Sequence, residues 1–227
     1  MAEEFVNGVR VKQHYAEMTP LDRAIDAYTK QAERYFDARN RLENAPEDVR
    51  EKRKKEFESI KAGLEAQRMN AFTMADLQSQ LDQYRDNVRK ADINTLENEK
   101  HHPTEMLERF MRAAGVPKPD DNCTAHHIVP GKGRLRVNYF TRVHLHINYI
   151  GINDPDNGVY LPEKKRYTPH WHMPDSLGHK EYHTEGYERF INRRLVLMRT
   201  ESTIRMELNL IGKMLQDNNL PPEARKK

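Results

Sequence analysis

Ala125-His126-His127-Ile128-Val129-Pro130, then Gly151-Ile152-Asn153-Asp154-Pro155-Asp156-Asn157-Gly158-Val159-Tyr160-Leu161-Pro162, then His179-Lys180-Glu181-Tyr182-His183 are the stretches that decide how this chain is read. Of 11 histidines, eight fall between residues 126 and 183. Histidine is neither a preferred core residue nor a preferred solubiliser, so such clustering points to metal ligation or to proton transfer near neutral pH. Adjacent residues of a strand face opposite sides, so one of His126 and His127 can face a metal and the other a substrate. His179 and His183, four apart, share a face if that stretch is helical. Asn157-Gly158 is a turn signal.

Outward from this centre the chain divides in two. Gly and Pro together number 4 before residue 101 and 18 after it. Residues 1–100 carry 18 Lys/Arg and 20 Asp/Glu, and residues 101–227 carry 20 and 15, so the basic excess lies in the second part. In the first part Leu21, Ile25, Tyr28, Ala32, Tyr35, Ala38 and Leu42 form one apolar stripe, opened by Thr19-Pro20. A second helix is expected after Asn44-Ala45-Pro46, with Val49, Phe57, Ile60 and Leu64. A third is expected from about Thr73, with Leu77, Leu81, Tyr84 and Val88. This predicts a small bundle or coiled-coil hairpin without catalytic residues. Lys52–Lys55 is surrounded by acids and reads as a solvated face. Residues 92–103 read as a linker that includes His101 and His102. A helix is expected at 104–114, β-like pieces at 137–140 and 158–161, and helices at 184–199 and 202–216. No apolar run approaches the roughly 18 residues of a membrane span. The N-terminus lacks the basic and apolar regions of a secretory signal. The single Cys123 excludes an internal disulfide and a CxxC zinc ribbon, and reads as structural.

The order AHHIVP, GINDPDNGVYLP, HKEYHTEGYERFINRRL resembles the A-HH family of the HNH/endonuclease VII nuclease superfamily over residues 104–198. The resemblance implies an α+β chain. It makes residues 101–227 a ββα-metal nuclease domain with flanking helices, beside the helical bundle or hairpin that periodicity alone gives for residues 1–100, where no family is matched. It implies His126, His179 and His183 as ligands of one divalent ion, His127 as general base and Asn157 as the supporting Asn. Many members are toxin domains of type VI and polymorphic secretion systems. The resemblance therefore implies a cognate immunity protein and delivery from the producer's cytoplasm into that of a target cell. Residues 1–100 would serve as a loading or adaptor segment.

The chemistry suits these residue types. A neutral imidazole can take a proton from an attacking water, worth roughly 10²–10⁴ in rate. A divalent ion can neutralise a scissile phosphate. Nitrogen ligands favour zinc or nickel, whereas magnesium prefers oxygen, so all three stay open. Lys132, Arg134, Arg136 and Arg142, then Lys164, Lys165 and Arg166, then Arg189, Arg193 and Arg194 supply cations for a nucleic-acid backbone, expected to be duplex DNA. Trp171 is read either as a base-stacking residue or as core, and His144 and His146 as alternating on a strand. Two other readings stay open: a housekeeping, phage or mobile-element HNH endonuclease, and a non-catalytic module with a closed zinc site.

Overall fold

The computed structural model describes residues 5–6, 9–10, 14–101 and 103–226; His102 lies outside them. The chain forms two compact units, Met1–Gln78 and Ser79–Lys227.

The N-terminal unit begins with two short antiparallel strands, β1 (Phe5–Val6) and β2 (Val9–Arg10). Helix α1 (Pro20–Glu43) starts where the sequence predicts. Thr19 accepts from the Asp22 backbone, and Asp22 caps it reciprocally. After a turn at Asn44–Pro46, helix α2 runs unbroken over Glu47–Lys90. The expected third helix is therefore the continuation of the second. No Gly or Pro occurs in Arg68–Thr73, and the Thr73 hydroxyl donates to Met69 O within the helix (2.9 Å) instead of capping a new one. Within this unit the α1 stripe meets α2 through Tyr35 and Phe57 (centroids 5.3 Å apart) and through the Gln31 amide on Ile60 O (3.1 Å).

The C-terminal unit contains the last turns of α2, then α3 (Ile93–Glu97), α4 (Glu105–Ala113), β3 (Cys123–His127), α5 (Arg136–Ile147), β4 (Gly158–Pro162), α6 (Glu185–Leu195) and α7 (Glu201–Gln216). β3 and β4 are antiparallel, with His126 opposite Val159 and His127 opposite Gly158. Leu107 and Met111 of α4, Leu145 of α5, Ile191 of α6 and Ile204, Leu208 and Ile211 of α7 form with the sheet a single apolar core. The α+β class with a helical N-terminal part and a ββα nuclease unit is thus observed.

Three local expectations differ. Residues 137–140 lie on α5, not on a strand. The inner face of α5 includes buried Asn138 and Thr141 beside Leu145, so polar residues hid its helical period. The turn signalled by Asn157-Gly158 is present but is the end of a 3₁₀ turn, Pro155–Asn157, leading into β4, and the connection from β3 contains α5. The stretch read as a linker holds α3 with its buried Leu96, and residues 79–100 pack as part of the C-terminal unit.

Candidate active site

The two strand histidines diverge as pleat geometry requires. On one side, the His126 ring lies 5.2 Å from that of His183 and 6.4 Å from that of His179, and those two rings are 5.8 Å apart. His126 is buried, and its Nε2 has no hydrogen-bond partner. A buried orphan nitrogen costs about 1–3 kcal/mol unless something fills its lone pair. His179 Nδ1 donates to Glu163 O (2.8 Å), which leaves the Nε2 lone pair as its acceptor. Burial, reinforced by the neighbouring His183, His179 and His127, holds His126 well below the usual histidine pKa; burial also lowers His179. Imidazoles brought together in this way are a donor set a divalent ion can take.

His179 and His183 do not share an α-helical face. His179–Tyr182 is a 3₁₀ turn, His183 ends it, and α6 begins only after Thr184, whose side chain accepts from Tyr187 N. Gly178 fixes the entry to this turn. A Cβ there would lie 2.9 Å from the Lys165 backbone nitrogen, so only glycine lets the two backbones approach. Tyr187, buried, donates to Ile128 O (2.9 Å) and so ties α6 to the residue that follows the His pair.

On the other side of the strand, His127 Nε2 meets Asn153 Oδ1 (3.2 Å). The Asn153 amide donates to Glu99 Oε1 (2.6 Å) and Lys100 O (2.8 Å), so its oxygen is the atom turned to His127. Facing that oxygen, His127 Nε2 is the donor of this contact, which is the Nε2–H tautomer of a neutral imidazole. Asn157 makes no contact of this kind. Its Oδ1 accepts from Val129 N (2.8 Å) and its Nδ2 donates to Ile152 O (2.9 Å), which staples the segment after β3 to the loop before β4. The residue the sequence reading missed is Asn153, four before Asn157. It lies in the quoted loop, but nothing in its spacing sets it apart.

Both sides open on one cleft of about 460 Å³. Its lining includes His126, His127, His179, His183, Lys118 and Lys132. His101, read as linker, is also there, its ring 6.1 Å from that of His127. Arg134, Arg136, Lys164, Lys165 and Arg193 are exposed but do not line this cleft; Arg193 borders a separate hollow with Arg189 and Asn192. Arg142 is structural: it donates to Gly131 O and Glu97 O. Arg194 pairs with Glu207. His144 and His146 ride on α5. His144 bonds Met198 O, and His146 is buried.

Among the described residues a second group, Asp120, Cys123 and His170, brings ligand-type atoms within 4.8 Å of one another. His170 Nδ1 accepts from His172 N, so its Nε2 bears the proton and donates to Asp120 Oδ2 (3.0 Å). Asp120 also accepts from the indole of Trp171, which is 71% exposed and so is not core. Burial, then the charge of Asp120, pushes the Cys123 thiol up to about 11. In this hydrogen-bonded arrangement both ring nitrogens of His170 are engaged, Nδ1 by His172 N and Nε2 by Asp120.

Residues 107–215 match the AHH family, described as a nuclease family of the HNH/ENDO VII superfamily with conserved AHH. The C-terminal unit belongs to the AHH nuclease family. It is a metal-dependent nuclease unit, and its substrate class is nucleic acid. No curated protein and no solved structure matches the chain. No described helix is long and apolar enough to cross a membrane.

Proposed function

We propose that this AHH nuclease is an endonuclease toxin that hydrolyses phosphodiester bonds of duplex DNA. In this reading His126, His179 and His183 hold one divalent ion and His127 is the general base. The observation that carries it is the division of labour on β3. His126 turns a buried, unpartnered nitrogen toward His179 and His183, while His127, one residue on, faces Asn153 Oδ1 through its Nε2.

The bound ion would supply Lewis-acid stabilisation of the scissile phosphate and the leaving oxygen. His127 Nδ1 takes a proton from the water that attacks in line. Asn157 keeps the segment after β3 in register with the loop carrying Asn153. Lys118 and Lys132 at the cleft attract the phosphate backbone. His183 is exposed and the cleft is open, which supports an accessible site over a closed structural zinc site. Zinc, nickel and magnesium all remain compatible with the family. Imidazole donors favour the first two by affinity.

What supports the toxin role is the resemblance of residues 104–198 to a family rich in secreted toxin domains. The same reading makes residues 1–100 an adaptor for a secretion carrier. It requires a cognate immunity protein in the producing cell and places the site of action in the target-cell cytoplasm.

The test is His127→Ala in the purified chain. Cleavage of duplex DNA is expected to fall by about 10²–10⁴ while calorimetric zinc affinity stays near wild type. Loss of zinc binding in this variant would exchange the roles of His126 and His127.

A further inference from the structure

The buried network behind His127 continues beyond Asn153. Glu99 Oε1 accepts from the Asn153 amide (2.6 Å) and from the Tyr84 hydroxyl (2.8 Å), and its Oε2 accepts from Ile152 N (3.2 Å). Tyr84 in turn accepts from Asn153 N (3.0 Å). Asn153 is therefore gripped at its backbone and at its side chain by the same two residues. Asn153 is completely buried. Gly151 makes room: a Cβ there would fall 2.0 Å from the Tyr84 hydroxyl oxygen. Tyr84 sits on the last turns of α2 and stacks on Phe110 of α4 (centroids 4.8 Å apart). Both Tyr84 and Glu99 precede the span 107–215 that matches the nuclease family, so this support comes from a part of the chain the family motif does not include.

A side-chain amide can present either its oxygen or its nitrogen to a neighbour, and the choice decides the tautomer of a histidine facing it. Here an acceptor-only carboxylate and the Lys100 carbonyl draw both amide hydrogens to one side. The oxygen is then left for His127. We infer that Glu99 and Tyr84 are positioning residues for His127, acting through Asn153 to hold the imidazole as its Nε2–H tautomer with Nδ1 as the basic atom. The inference rests on the reading of His127 as the base. Without the network, the amide is able to turn over, donate to Nε2 and move the proton to Nδ1, the wrong atom for accepting one from water.

The experiment uses the full-length chain. Glu99→Gln keeps the volume but supplies one acceptor oxygen where three donors converge, and Tyr84→Phe removes one hydroxyl. Imidazole nitrogen–proton correlation spectra of the zinc-loaded protein read the tautomer, with His127 assigned by its absence in His127→Ala. The wild type is expected to show the Nε2–H form. Both variants are expected to populate the Nδ1–H form. Their kcat on plasmid DNA should be lower by about 10–100-fold, with KM and zinc affinity within about two-fold of wild type. Wild-type tautomer and kcat in both variants would overturn the inference. So would loss of zinc binding in parallel with activity, because that marks a merely structural role. If Glu99→Gln does not fold, Tyr84→Phe decides alone. Full activity in His127→Ala would overturn the base assignment, whereas the spectra judge the tautomer independently.

Discussion

At the scale of single residues, the site is a set of nitrogen atoms whose protons have been placed. His179 gives its Nδ1 proton to the Glu163 carbonyl, His126 buries an orphan Nε2, and His127 gives its Nε2 proton to Asn153. Three similar side chains are thereby set in different environments, two of them by a backbone or amide oxygen. Removing a ligand should act on metal, not on fold. His179→Ala and His183→Ala are each expected to weaken zinc binding by about 3–5 kcal/mol, given roughly 10–16 kcal/mol for complete structural zinc sites. Calorimetric titration checks this, and wild-type affinity in both variants would dissolve the three-histidine site. His170 is the contrast. It too sits beside a carboxylate and a thiol, but both its ring nitrogens are engaged, Nδ1 by a backbone N–H and Nε2 by Asp120.

At the scale of elements, the loop before β4 is clamped from two helices. Asp154, its side chain 1% exposed, binds Arg205 of α7 (2.8 Å) and Arg85 of α2 (3.1 Å). Burial alone would raise the Asp154 carboxyl, but the hydrogen bonds and charges of Arg205 and Arg85 outweigh it and hold the group below its ordinary value of 3.8. Arg205→Ala should destabilise the unit by about 3 kcal/mol near neutral pH, because it strips a buried carboxylate of one of its two cations. A depressed carboxylate stabilises the fold above its ordinary pKa, and the contribution disappears as pH falls through the folded value. The gap between wild type and variant in denaturant melts should therefore shrink as pH falls below the ordinary carboxylate value of 3.8. A second expectation concerns α2 and α3. A fragment beginning at residue 79 should fold and cleave, whereas one beginning at residue 101 lacks Tyr84, Arg85, Arg89 and Glu99 and should lose activity. Circular dichroism together with a cleavage assay distinguishes the two. Equal activity in both fragments would show that the last turns of α2 are dispensable.

At the scale of the whole molecule, the basic excess after residue 100 is spread over exposed side chains: Arg134, Arg136, Lys164 and Lys165 lie outside the cleft, and Lys118 and Lys132 border it. Such cations contact phosphates and carry no base code. Cleavage is expected without a consensus sequence, with DNA affinity falling by about 0.9 logarithmic units per phosphate contact for each tenfold rise in salt. Digesting a long duplex at several salt concentrations and sequencing the ends checks both, and a single salt-insensitive site would count against the proposal. The sequence by itself determined the class of the chain, the start of α1, a strand at 158–161 that the fold extends to Pro162, the helices that follow His183 and the clustering of histidines between 126 and 183. Each of these is written in local periodicity, in capping residues or in a dense motif. It could not show that α2 is continuous, because helical period runs smoothly through a stretch where the end of a helix must be marked by a breaker. It placed α5 on a strand because a helix face built of Asn138, Thr141 and Leu145 has no apolar period to read. Only the tertiary structure brought Glu99, Tyr84 and Asn153 to His127. A buried hydrogen-bond network joins residues more than 50 positions apart in sequence, and nothing in local spacing encodes which carboxylate will meet which amide once the core has closed around them.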